Sequence, residues 1–288
     1  MKPEMKLRTM IRSEVDLLLE WAAEEGWKPG LEDADAFWAA DNDAYIAAEI
    51  DNEIIGGGAT VRYSGELGFM GLFIIRPDFR NQGLGRTLWH YRRDLLISRM
   101  SPNGTIGMMA VENMKPFYEK GGFKYFGMGT RYGGKVDTEI NTQATVLDLV
   151  NLDFKQVVEF DRKHFGAYRE AFWRKWIKPK SGRGLALMNR HGTMEAMGVI
   201  REVVDGGYKI GPLFAISYSS ADILFRALAK TTQLEELFID IPSNNPNAGE
   251  LVNKYGLEER FRCALMYRGK PPSLPWNEIY GFTTFELG

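Results

Sequence analysis

Two α/β domains joined by a short polar linker are the architecture the sequence predicts, and three observations lead there. Strand-like and helix-like stretches alternate through 288 residues, a length that supplies two cores of ordinary size. The alternation restarts after a polar stretch from Asp137 to Ala144. Landmarks of the first half also recur in the second: Gly71-Leu72-Phe73 is echoed by Gly211-Pro212-Leu213-Phe214, and Gly121-Gly122-Phe123 by Tyr255-Gly256-Leu257. Arg131-Tyr132-Gly133-Gly134-Lys135 likewise matches Tyr267-Arg268-Gly269-Lys270. A diverged duplication accounts for these echoes; coincidence between two mixed α/β domains is the alternative. The expected division is residues 1–136, a linker at 137–144, and residues 145–288.

Lys6 to Ile11 reads as a strand, followed by a helix to about Glu25 that Ser13 can cap and that places Val15, Leu18, Leu19 and Ala22 on one face. Gly26-Trp27-Lys28-Pro29-Gly30 ends it, and Leu31 to Ala39 reads as a second helix. Tyr45 to Ile50 and Glu53 to Arg62 form a hairpin about Asp51-Asn52. The apolar run Leu67 to Ile75 predicts a central strand, feeding a glycine-rich turn and a helix from about Gly83 to Met100. A strand at Ile106 to Val111, a short helix around Met114 to Lys120, and a last strand from Phe123 close the first half near Lys135.

In the second half, Thr145 to Leu149 begins a strand and Phe154 to Lys163 a helix, and Arg190-His191-Gly192 turns one strand into the next. Lys209 to Ala215 predicts a central strand, Ala221 to Thr231 its helix, and Leu237 to Ile241, Ala248 to Tyr255 and Leu257 onward the remaining strand, helix and strand. The closing Tyr280 to Gly288 is expected to pack back as a strand.

Composition narrows the function classes. With 36 Lys and Arg against 38 Asp and Glu, the net charge of -2 offers no broad attraction for nucleic acid or an anionic membrane. Cys263 has no internal partner, and His90, His164 and His191 lie too far apart to suggest a metal cluster, so no metal is expected. Val15 to Trp21 is interrupted by Asp16 and Glu20, and no run reaches the ~20 apolar residues of a membrane span. A soluble protein of the reducing cytoplasm is expected.

The sharpest local signal is Arg80-Asn81-Gln82-Gly83-Leu84-Gly85-Arg86. Two glycines let the backbone turn tightly and approach a ligand, while the helix that follows points free N–H groups and its positive dipole end outward. Such an arrangement attracts a phosphate. A dinucleotide fingerprint needs a third glycine where Leu88 stands, and a P-loop needs Gly-Lys-Ser/Thr, so both nucleotide motifs fail. Set after a strand ending near Pro77, the stretch resembles the Arg/Gln-x-x-Gly-x-Gly/Ala pyrophosphate motif of the GNAT superfamily of N-acetyltransferases. The resemblance covers about residues 5 to 135 and extends weakly beyond. It implies two GNAT-like domains, each a mixed, mostly antiparallel twisted sheet flanked by helices, with acetyl-CoA as co-substrate. It assigns the CoA pyrophosphate to Arg80 through Arg86, including Asn81, Gln82, Gly83, Leu84 and Gly85. It further assigns acetyl-pantetheine to backbone groups of Phe73, Ile74 and Ile75, in a strand that bulges and splays from its neighbour.

A second match, Asn113-Met114-Lys115-Pro116-Phe117-Tyr118-Glu119-Lys120-Gly121-Gly122-Phe123, resembles the segment that ends the GNAT cofactor site. By that resemblance Asn113 binds pantetheine or neighbouring backbone, and Tyr118 lies near the sulfur. A phenol, with a reference pKa of about 10, stays protonated at neutral pH and can donate to a departing thiolate. Tyr118 is therefore the candidate general acid. The base is open: Glu112, Glu24, Glu25 and Glu66 are candidates, and a water relay is equally compatible. Glu24, Glu25 and Trp27 lie where the chain resembles the acceptor-facing loop of the superfamily, offering acidic groups and an aromatic face to a cationic amine. His90 has no nucleophile specified around it, and Cys263 sits in an apolar strand-like run where a structural thiol is the simpler reading.

The second half lacks the motif. Ile216-Ser217-Tyr218-Ser219-Ser220 follows its central strand, and Val252 falls opposite Tyr118 although Asn247 falls opposite Asn113. Residues 145–288 are thus expected to be a degenerate copy that shapes the acceptor cleft or offers an oligomer surface, compatible with a homodimer. The expected activity is direct transfer of acetyl to a primary amine on a small molecule or peptide, from one site per chain. An acyl-CoA-binding sensor without turnover is the alternative.

Overall fold

The computed structural model describes residues 4–138 and 145–288, so most of the expected linker at 137–144 lies outside the described residues. The first half runs β1 (Lys6–Thr9), α1 (Arg12–Glu24), α2 (Asp33–Ala40), β2 (Tyr45–Ile50), β3 (Glu53–Arg62), β4 (Leu67–Ile75), α3 (Leu84–Arg99), β5 (Thr105–Val111), α4 (Lys115–Glu119) and β6 (Lys124–Lys135). The second runs β7 (Thr145–Asp148), α5 (Phe154–Phe165), α6 (Glu170–Trp176), β8 (Gly182–Met188), β9 (Met194–Glu202) and β10 (Tyr208–Ala215). It continues with α7 (Tyr218–Ala229), β11 (Glu236–Pro242), α8 (Pro246–Lys254), β12 (Glu258–Arg268) and β13 (Ile279–Gly281).

Local chemistry explains the early elements. Asp51 and Asn52 both take left-handed backbone, with φ of 51° and 66°, as a tight two-residue hairpin turn requires. Ser13 is not the cap of α1: the N-cap is Ile11, two residues earlier, and the Glu14 carboxylate reaches back to accept the Ile11 N–H at 2.9 Å. That bond satisfies the N–H of the N-cap residue itself, the half of a capping box that a glutamate in the first turn supplies. Among the described residues no helix is long and apolar enough to cross a membrane.

The strands form one mixed sheet in the order β1-β2-β3-β4-β5-β12-β6-β11-β10-β9-β8-β7, with β13 paired to β10. Only β4 with β5 and β10 with β11 pair in parallel; the other pairs are antiparallel. The halves exchange their closing strands. β12 lies beside β5 in the first half, β6 lies beside β11 in the second, and the two exchanged strands pair with each other. The echoed runs Arg131–Lys135 and Tyr267–Lys270 thus end the two strands that cross.

One core cluster joins the halves: Val15 and Leu18 of α1, Phe37 of α2, Trp173 and Trp176 of α6, and Met197 and Phe214 of the second sheet half all belong to it. Phe37 stacks on Trp176 with centroids 6.2 Å apart. Three buried ion-pair sets cross the same region: Arg201 with Asp33, Arg131 with Asp240, and Lys209 beside Glu286. Residues 145–148 and 154–165 read correctly as strand and helix in outline, whereas α6 was not anticipated.

Tyr280 to Gly288 is not a full strand. Only Ile279–Gly281 pairs, antiparallel to β10; the rest is a buried irregular segment whose backbone groups find other partners. Phe282 N–H donates to the Asp240 carbonyl at 2.8 Å, and the Tyr63 hydroxyl donates to the Leu287 carbonyl at 2.8 Å. Gly71 makes room for it, since a Cβ there would stand 1.6 Å from the Glu286 carbonyl oxygen. Gly71→Ala is therefore expected to cost about 1–3 kcal/mol through forced backbone displacement. Urea unfolding checks this, and stability equal to wild type would refute the fit.

Candidate functional site

β4 and β5 pair from Leu67–Thr105 to Met70–Met108 and then part. The fork begins where β4 bulges: Leu72 takes a φ of 49°, and the register against β3 shifts between Gly57 and Ala59. Left-handed backbone at a buried leucine is strained and persists only when its surroundings fix it. Arg92 of α3 supplies that hold, donating to the carbonyls of Ala59 and Gly71 on either side of the bulge. Its guanidinium is buried, its Nε and Nη1 have no hydrogen-bond partner among the described residues, and burial lowers its pKa to about 10.

A cavity of about 530 Å³ fills the fork. One side is β4 from Met70 to Ile75, another is Met108, Met109 and Val111 of β5, and the mouth carries Arg80, Asn81, Gly83, Gly85 and Arg86. Gly83 ends the turn at φ 83°, left-handed backbone that favours glycine, and starts α3. The N–H groups of residues 81–85 have no partner among the described residues. Next to them, the first turn of a 16-residue helix presents its dipole. The set is a cradle for an anionic oxygen cluster and fits a pyrophosphate.

Most of the residues singled out in the sequence meet at this cavity. Phe73, Ile74, Ile75, Arg80, Asn81, Gly83, Gly85, Arg86, Asn113, Tyr118, Glu25 and Trp27 line it. Gln82 does not: its amide donates to the Asp78 carbonyl at 3.2 Å, outside the wall. Leu84 packs instead beside the Ile46–Ile55 cluster, and Glu24 is exposed away from the cavity. Two groups in the wall are already engaged. The Ile75 carbonyl accepts from Arg80 Nε at 2.7 Å, and the other arm of Arg80 pairs with Glu25. Glu112 and Glu66 are exposed and outside the wall, as is His90.

Tyr118 lines the cavity and is buried. The short helix α4 is started by Pro116 and held by aromatic contacts, with Phe117 and Trp89 at 5.3 and 6.1 Å from the Tyr118 ring. Burial pushes its phenol up to about 12, opposed by the Arg92 charge. Cys263 lies in the same wall, and burial raises its thiol far above the range where a thiolate forms at neutral pH. Among the described residues no group of three or more His, Cys, Asp or Glu is placed to hold a metal.

The cavity is completed from beyond the fork's own strands. Arg131, Phe261, Cys263, Phe285 and Glu286 come from the exchanged strands and the closing segment. Reading the halves in isolation missed Arg131 and Phe261, which strand exchange brings in, and Phe285 and Glu286, which the closing segment brings in; Cys263 was read as a structural thiol. Two signals were available. Arg92 sits between Leu88 and Leu96 on the buried face of its helix, and Glu286 is the lone acid of a run of aromatic, hydroxyl and apolar residues.

The second fork is closed. β10 and β11 pair from Tyr208–Leu237 to Ile210–Ile239 and then part, as β4 and β5 do, but β13 pairs with β10 in the gap. No glycine loop follows β10, since Ser217 caps α7 with its own side chain, accepting from Ser220 N–H. Val252, opposite Tyr118 in the repeat, is buried in the core.

Models of the acetyltransferase (GNAT) domain match residues 37–125 and 157–281. The chain is 27% identical over 276 residues to the holothin acyltransferase of Pseudoalteromonas sp. (strain SANK 73390), a match that spans 96% of this chain and 92% of that protein. A solved structure from Pyrococcus horikoshii superposes with a TM-score of 0.82 at 21% identity, covering 99% of this chain and 96% of that one. A tandem GNAT protein from the clavulanic acid biosynthesis pathway superposes with a TM-score of 0.66 at 13% identity, covering 94% of this chain and 100% of that one. With the fork, the helix and the two matched segments in agreement, the chain belongs to the GNAT acetyltransferase family and carries two of its domains in tandem.

Proposed function

We propose that the chain transfers an acetyl group from acetyl-CoA to a primary amine at the single fork between β4 and β5. The observation that carries this reading is the cavity itself. Unpartnered loop N–H groups stand at its mouth, a buried, protonated phenol lines it, and unpaired strand backbone lies between them. Bound acetyl-CoA would supply an activated acyl thioester, its pyrophosphate held by residues 81–85 and its pantetheine arm by β4. Asn113 at the rim is offered to the same arm, and Tyr118 gives its proton to the departing sulfur. In this division residues 1–136 hold the donor and residues 145–288 wall the acceptor end. A volume of about 530 Å³ suits a small-molecule acceptor, and the Pseudoalteromonas relative is named as a holothin acyltransferase.

The test is amine-dependent thiol release from acetyl-CoA over a panel of primary amines. Release with at least one amine is expected; tight acetyl-CoA binding with no release for any amine would favour the sensor instead. Gly85 provides a check on location. A Cβ there would meet Ile75 and Phe73 at 3.5 and 3.6 Å, ordinary contact, so alanine fits and a longer side chain projects into the cavity. Gly85→Val is expected to weaken acetyl-CoA binding by about tenfold or more, on the scale of a lost hydrogen-bonded contact, while Gly85→Ala stays within about threefold. Equal binding by wild type and Gly85→Val would move the donor site elsewhere.

A further inference from the structure

The closing segment acts at both forks. Ile279–Gly281 fills the second one, and the Thr283 carbonyl then abuts Gly211, where a Cβ would stand 2.2 Å away. Three residues on, Glu286 abuts Gly71, the echo of Gly211, at the start of the first fork. Its side chain is 2% exposed, Glu286 lies in the cavity wall, and neither carboxylate oxygen has a hydrogen-bond partner among the described residues.

The surrounding charges are committed elsewhere. Arg131 of β6 grips both oxygens of Asp240 of β11, and Arg201 of β9 grips both oxygens of Asp33 of α2. Lys209 of β10 stands 4.0 Å from Glu286 Oε1 but donates to the Lys28 carbonyl at 2.6 Å. Arg92 of α3, Tyr118 of α4 and Cys263 of β12 line the same cavity. Lys209 thus faces Glu286 without donating to it, while Arg131 and Arg201 are held by Asp240 and Asp33. A buried carboxylate is costly without hydrogen bonds, so this position calls for a donor that comes from the cavity.

We propose that this donor is the acceptor substrate: the Glu286 carboxylate receives an ammonium N–H and takes one of its protons. The role rests on the acetyl-transfer reading and names the acceptor class as a cationic amine, approaching past the aromatic faces of Trp27, Phe261 and Phe285. Glu286 removes one proton, and the freed nitrogen lone pair forms the N–C bond to the acyl carbon as the C–S bond breaks. Tyr118 gives its phenolic proton to the leaving sulfur and regains one from the new amide nitrogen. Glu286 then releases its proton to solvent, so amine, thioester, amide, thiol and one proton balance.

Glu286→Gln keeps the shape and removes the charge. Calorimetric titration is expected to show acetyl-CoA binding within twofold of wild type. Affinity of the turned-over amine for the CoA-saturated protein is expected to fall at least tenfold, the range of a charge-assisted hydrogen bond. kcat/KM should fall about a hundredfold at pH 7, with the gap narrowing above the amine's own pKa, where it arrives neutral. Glu286→Asp is expected to restore part of both. Unchanged amine affinity and kcat/KM in Glu286→Gln, or a loss equal at every pH, overturns the proposal and leaves acetyl transfer standing. A wild type that binds acetyl-CoA but turns over no amine overturns both.

Discussion

Asp240→Ala is expected to cost about 3–5 kcal/mol of folding stability, because it leaves the Arg131 guanidinium buried without its partner. Both side chains are 2% exposed, and both carboxylate oxygens accept from Arg131, at 2.6 and 2.7 Å. The pair bridges β6 of the first half and β11 of the second at the point where the closing strands cross. Its loss is therefore expected to lower both halves together in a single transition. Substituting Arg131→Met with Asp240→Leu should recover most of that loss, since an apolar pair of similar volume avoids the desolvation cost.

The same pair has a pH signature. Burial pushes the Asp240 carboxyl up, and the Arg131 charge more than reverses it, leaving its pKa below the ordinary value. A carboxyl depressed by folding contributes stability above its unfolded pKa of about 4 and loses it as pH falls through the folded value. Denaturant midpoints of wild type and Asp240→Ala should thus differ most from about pH 5 upward and converge in acid. A gap unchanged at pH 2–3 would contradict the assignment.

Tyr118→Phe is expected to lower kcat by about 10²–10³-fold, the range for removing a positioned proton donor, with acetyl-CoA affinity within about threefold of wild type. The buried phenol is held at about 12, so wild-type kcat should show no alkaline fall from this group through pH 10. An ordinary phenol would be half ionised there. Equal product from wild type and Tyr118→Phe would remove Tyr118 from the chemistry.

Short-range signals made the first half readable. The Asp51-Asn52 hairpin, the apolar β4 and the glycine turn into α3 each carry their cause within a few residues, and their limits fall within a residue or two of expectation. The residues that gather at the fork were legible for the same reason, since strand, loop and helix are contiguous. Gln82 and Leu84 fall away because a motif fixes backbone positions, whereas side-chain direction depends on packing: Leu84 follows the apolar face of α3. The strand exchange was not legible, because β6 and β12 have the same pattern whichever sheet receives them. For that reason Arg131 and Phe261 were out of reach of a half-by-half reading, while Phe285 and Glu286 arrive on the irregular closing segment. Local echoes did mark the duplication, and the paired contacts at Gly71 and Gly211 give that echo a physical cause: each lets the closing segment pass.

The central claim is one acyl-CoA site per chain, at the open fork between β4 and β5 and not at the fork that β13 fills. Calorimetric titration of acetyl-CoA into the purified wild-type chain tests it most directly. One molecule bound per chain is the expected result; two per chain, or none, would contradict it.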